Sequence, residues 1–111
     1  MNIKQAQLDI CSKYNSEFEQ LMPDEMVAIA LDSIGKMPIT GVRETLKNGQ
    51  SVSWYIYCGD YSADTDFYKP VHWVHLIEIL PQVIPYLGLS KGFRFIIDDD
   101  GYEDVWYQGE E

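Results

Sequence analysis

The chain predicts an α+β fold: an antiparallel sheet of about five strands, with an N-terminal helix and a proline-kinked second helix on one face, ending in a β-hairpin. Three segments carry that expectation. Residues 52–58, VSWYIYC, concentrate the aromatic and branched side chains that suit a pleated, half-buried strand. Residues 70–87 repeat apolar side chains at helical spacing behind a proline. Residues 92–106, GFRFIIDDDGYEDVW, read as two strands about an Asp100-Gly101 turn, because glycine adopts the tight-turn backbone freely and Asp tolerates it.

The elements follow in order. Residues 2 to about 20 predict a helix, with Ile3, Ala6, Leu8, Ile10, Cys11 and Tyr14 forming an apolar stripe, Asn2 as its cap and Asn15-Ser16 as a point of breakage. Met22-Pro23-Asp24 marks a boundary. Residues 26–31 are too short for periodicity to separate helix from strand; a strand is preferred because Gly35 and Pro38 limit any helix. Residues 39–46 alternate loosely as a second strand, and Asn48-Gly49 signals a hairpin into the strand at 52–58. Residues 59–69 read as an acidic loop. Pro70 then suits the first turn of a helix whose apolar face is Val71, Val74, Leu76, Ile77, Leu80, Val83, Ile84 and Leu87. Pro81 and Pro85 kink or split it, and Gly88 closes it. With a two-residue turn at Asp100-Gly101, Asp98 faces Glu103 across the final ladder. Like charges placed opposite each other destabilise a sheet, so these acids point to a surface kept for a cationic partner.

The 111 residues fit one domain, 1–111, and an apolar fraction of 46% provides for one packed core. The formal charge of −10 repels nucleic acid and anionic membranes and attracts basic proteins. Acidity also serves solubility alone, but the distribution is uneven: no basic residue follows Arg94, and Asp60, Asp64 and Asp66 form a second cluster. Eight tyrosines, each able to pack its ring while its hydroxyl stays wet, point to a contact surface. The N-terminus lacks the basic start and apolar run of a signal peptide, no segment reaches the length of a membrane span, and a cytoplasmic protein with free Cys11 and Cys58 is the expectation.

Catalytic chemistry finds little footing. His72, His75 and Glu78 share one predicted helical edge and give the alternative of a small metal-dependent enzyme, but the spacing is unspecific and packing roles are favoured. The Asp98-Asp99-Asp100-Gly101 run fails as a calcium loop, because Gly101 in the glycine slot would put Ile96 and Tyr107 at the end ligand positions. There is no nucleophile motif, phosphate loop or CxxC, so no catalytic residue, cofactor or metal is expected. Trp54, Trp73 and Trp106 read as core anchors, at least one of them packing the sheet against the second helix.

Two stretches, WYIYCGDYSADTDFYKPVHWVHL at 54–76 and GLSKGFRFIIDDDGYEDVW at 88–106, together with VAIALDSIGKMPITGVR at 27–43, resemble the immunity protein thirty-three family of bacterial polymorphic toxin systems. The tryptophan strand with its Gly-Asp exit, the Asp-Phe-Tyr loop, Pro70 with His72 and His75, and the Tyr-Glu-Asp-Val-Trp ending carry the likeness. The resemblance implies a cytoplasmic, non-enzymatic protein that binds and neutralises a toxin domain; it implies no particular toxin and no catalytic residue. An acidic adaptor without a toxin is the other binding reading. The residues expected to contact the partner are Asp60, Asp64, Asp66, Tyr68, Asp98, Asp99, Asp100, Tyr102 and Glu103, the acids pairing with Lys or Arg and the tyrosines supplying rigid area. The expected partner is a cognate toxin domain, basic in charge; neither nucleic acid nor membrane is expected. The chain itself is expected to be a monomer or a weak homodimer.

Overall fold

Asn2 starts the first helix as expected, its side-chain oxygen accepting from the Gln5 amide at 3.0 Å. The computed structural model describes residues 2–44 and 52–108; the Asn48-Gly49 turn and the end of the strand predicted over 39–46 lie outside the described residues. Helix α1 spans Ile3–Lys13 and is shorter than the predicted segment. It stops because Asn15 takes φ 62°, a left-handed backbone that turns the chain away. Gln7 and Cys11 are its buried residues, and the Gln7 amide donates to the Ile84 carbonyl at 3.0 Å.

Six strands follow among the described residues, one more than predicted: β1 Met26–Ile29, β2 Ile39–Arg43, β3 Val52–Cys58, β4 Lys69–His72, β5 Phe93–Ile97 and β6 Glu103–Tyr107. They form one sheet in the order β4-β1-β3-β2-β5-β6. The sheet is mixed, not purely antiparallel. β3 inserts between β1 and β2, so β1 and β3 run parallel while the other neighbours run antiparallel. The additional strand, β4, occupies the start of the predicted second helix. Pro70 lacks an amide hydrogen, and β4 at the sheet's edge tolerates that loss.

The rest of the predicted second helix is divided into short pieces: 3-10 turns at Trp73–His75 and Pro81–Tyr86 around the single α-turn α2, Leu76–Ile79. Leu80, with φ −153°, breaks the helix just ahead of Pro81. Leu76, Leu80, Val83, Ile84 and Leu87 are buried as the apolar face requires, whereas Val74 and Ile77 are exposed.

The core lies between this layer and one face of the sheet. Trp54, fully buried, packs on Phe95 with ring centroids 5.5 Å apart, and its indole N–H donates to the Leu87 carbonyl at 3.1 Å. Arg43 is buried beside it. One guanidinium nitrogen donates to the carbonyls of Glu19, Leu87 and Leu89 at 2.9, 3.1 and 2.7 Å. The other lies 3.8 and 3.7 Å from the carboxylates of Glu19 and Glu25. Burial pulls the Arg43 pKa down, and the two glutamates pull it back up. This guanidinium ties the sheet to the chain segments on either side of the helical layer.

Candidate functional site

The strand directions decide where the acids gather. β1, β3 and β5 point the same way, so the connections 30–38, 59–68 and 98–102 all leave one end of the sheet. Asp32 lies in the first, Asp60, Asp64 and Asp66 in the second, and Asp98, Asp99 and Asp100 in the third. Lys36 and Lys69 are the basic residues at this end. Ile39, the first residue of β2, pairs with both Cys58 and Ile97. The loop after β3 and the hairpin tip are therefore about 10 Å apart at their roots, two strand spacings.

The hairpin register differs from the expectation by one residue. The Asp98 amide donates to the Tyr102 carbonyl at 3.2 Å, and Ile97, not Asp98, pairs with Glu103. Asp99, Asp100 and Gly101 form the loop between, with Gly101 at φ 94°. The Asp98 carboxylate folds back to accept from the amides of Asp100 and Tyr102, each at 2.9 Å. Asp99 leans toward the helical layer, accepting from the Gln82 amide at 3.4 Å. Asp100 and Tyr102 are exposed, and the Tyr102 hydroxyl lies 3.5 Å from Asp104.

A shift of one residue moves a side chain to the other side of a sheet, and Glu103 accordingly faces the helices. It forms an ion pair with Lys13 at 2.7 Å, accepts from the Tyr14 hydroxyl and accepts from the Tyr86 hydroxyl at 2.5 Å. Burial alone would raise its pKa, but hydrogen bonds from Lys13, Tyr14 and Tyr86, with the Lys13 charge, hold it down to about 2. Burial and the same carboxylate push the Tyr86 hydroxyl upward. Of the nine residues proposed from the sequence, Glu103 is thus the one with an ion pair among the described residues.

The loop 59–68 folds back on the sheet face opposite the helices. Alternation along β3 sends Trp54, Ile56 and Cys58 into the core and Tyr55 and Tyr57 to that other face. Tyr61, Phe67 and Tyr68 settle on the two strand tyrosines. Tyr55–Tyr68, Phe67–Tyr68, Tyr57–Tyr61, Tyr61–Phe67 and Tyr57–Phe67 have centroids 5.3, 5.0, 5.7, 5.6 and 5.9 Å apart, all tilted or edge-on. Burial, helped by Tyr61, Tyr57, Tyr55 and Glu44, pushes the Tyr68 hydroxyl up to about 12. Where this cluster meets the acidic end of the sheet, Ala30, Asp32, Ser33, Asp64, Asp66 and Phe67 line a shallow cleft of about 200 Å³.

Sequence reasoning passed over Tyr55, Tyr57 and Asp32. The two tyrosines were visible as alternate positions of VSWYIYC; Asp32 was not, because only the chain's crossing of the end of β3 brings it to Asp64 and Asp66. Trp106, expected as a core anchor, instead pairs with Arg94 on the same open face as Tyr55 and Tyr57 and is only half-buried. Trp73 caps the helical layer, donating to the Met22 carbonyl at 2.9 Å. His72 and His75 are exposed with rings 6.0 Å apart, and no group of three or more His, Cys, Asp or Glu among the described residues is placed to hold a metal ion. Cys11 and Cys58 are buried free thiols. No helix among the described residues is long and apolar enough to cross a membrane.

The model of the Imm33-like domain matches residues 6–108. No curated protein and no solved structure matches the chain.

Proposed function

We infer, from the premise that this chain belongs to the Imm33-like family, that it is a non-enzymatic immunity protein that binds and neutralises a toxin domain in the cytoplasm. The family match across residues 6–108 carries the reading. The gathering of three acidic connections at one end of the sheet, beside a five-ring aromatic cluster, supports it. Inhibitors need a pre-organised surface with aromatic anchors and complementary charge. A negative field also speeds encounter with a basic toxin, and domains that grip phosphate are basic.

Asp60, Asp64 and Asp66 on one loop, and Asp99 and Asp100 on the hairpin tip, are the carboxylates we assign to Lys and Arg of the toxin. Tyr68 and Tyr102 supply rigid contact area. Asp98 serves by shaping the tip, and Glu103 by anchoring β6 to the helices.

The test is co-expression with the toxin domains encoded beside this gene, followed by isolation of the complex. Growth should be restored by the unaltered chain. Asp98→Asn, Asp99→Asn and Asp100→Asn together should weaken protection while leaving the fold intact, because Asn at position 98 keeps the oxygen that accepts from Asp100 and Tyr102. Full protection by that variant would remove the hairpin tip from the interface, and failure of the unaltered chain against every such toxin would end the reading.

A further inference from the structure

A water-facing sheet surface ordinarily alternates polar residues outward. Here the central strand β3 instead turns Tyr55 and Tyr57 outward; beyond them β2 presents Thr40 and Val42, β5 Arg94 and Ile96, and the edge strand β6 Asp104 and Trp106. α1 and α2 lie on the opposite side, and the loop bearing Tyr61, Phe67 and Tyr68 adds rings to this face without covering it: Tyr61 remains 61% exposed. A contiguous patch of five Tyr and Phe rings, four of them half-buried, has the composition of an interface core and not of a wetted surface.

We propose that this open sheet face, centred on Tyr57 and Phe67, is a docking surface for a protein segment that is apolar at its centre and carries Lys or Arg at its edge. The proposal rests on the reading of the chain as a protein inhibitor and names the face and the partner chemistry. Charge selects the occupant. Glu44 lies close enough to Tyr68 to push its hydroxyl pKa upward, and on another side the cleft between Asp32, Asp64 and Asp66 opens next to Phe67. Among the described residues Arg94 is the cation on the face, set between Val42 and Trp106 toward its far edge. A basic side chain entering the cleft beside Phe67 meets carboxylates and an aromatic ring together. A second copy of the chain would bring one charge of −10 against another, so a basic partner is favoured over self-association. Edge-on contacts among the rings hold them in place before binding, which lowers the ordering cost of association.

The experiment uses the full chain and a short peptide alternating Arg and Leu, with Glu-Leu and Arg-Ser peptides of equal length as controls. Aromatic NMR resonances should shift at Tyr57, Tyr61 and Phe67 with the Arg-Leu peptide, little with Arg-Ser and not with Glu-Leu. Phe67→Ala and the milder Tyr61→Ala, each checked for an unchanged melting transition, should weaken binding about tenfold. Shifts confined to the hairpin tip or helices, equal response to the Glu-Leu peptide, or a dimer in sedimentation that Tyr61→Ala dissolves would each overturn the proposal. In the toxin protection assay, a loss caused by the tip aspartate changes but not by Phe67→Ala would overturn this face and leave the immunity reading standing. Peptide binding at the rings without protection against any toxin would do the reverse.

Discussion

Replacing Glu103 with Gln isolates the ion-pair node that fastens β6 to α1 and to the 3-10 turn at Tyr86. The carboxylate's pKa falls from the model-compound value of 4.5 to about 2. At ~1.4 kcal/mol per pKa unit, this corresponds to on the order of 3 kcal/mol of folding stability. Glu103 is 22% exposed and Lys13 is 60% exposed, so solvent screens part of the attraction, and a loss of about 2 kcal/mol is the expectation near neutral pH. Because the folded pKa is depressed, the stabilisation is complete above the unfolded value of 4.5 and fades as pH falls toward 2. Urea unfolding followed by Trp54 fluorescence should therefore show Glu103→Gln well below the parent near pH 7 and the gap closing near pH 2. A gap of the same size at both pH values, or none at neutral pH, would refute the electrostatic account of this node.

Gly41→Ala should be among the most damaging single changes, because an added Cβ would lie 2.2 Å from the Phe95 ring in the core; overpacking of about 3 kcal/mol should appear in the same urea titration. Arg43→Met should cost about 3 kcal/mol or prevent folding. Arg43→Lys should not rescue it, since one ammonium cannot serve both the three carbonyls met by one guanidinium nitrogen and the Glu19 and Glu25 carboxylates met by the other. Cys11 and Cys58 are buried and burial raises both thiol pKa values, so both should react slowly with a disulfide reagent at mildly alkaline pH and quickly in urea. Rapid reaction of the folded chain would contradict their placement.

Local signals were legible where neighbours along the chain decide the outcome. Asn2 as cap, the strand at 52–58 and the break before Pro81 were all readable from residue type and spacing. What escaped depends on distant partners. Pro70 is equally at home at a helix start and on an edge strand, and only pairing with Ala28 selects the strand. The parallel match of β1 with β3 arises because β3 inserts beside β1, which no adjacent pair of residues announces. The hairpin register turned on one residue: Asp98 accepts from two tip amides, favouring a wider loop than Asp100-Gly101 alone implies and sending Glu103 to the helices. Within the candidate site, the acids of 59–68 and 98–100 were visible as clusters, but their common end of the sheet follows from strand direction. The identity of the open face follows from which side α1 and α2 cover.

The most direct test of the account is the salt dependence of association between the purified chain and the toxin domain it neutralises, measured by stopped-flow fluorescence. The account predicts a rate that falls at least about tenfold from low to high salt, with a shallower slope once Asp60, Asp64 and Asp66 are changed to Asn. A rate indifferent to salt, or one whose slope is untouched by removing those charges, would contradict it.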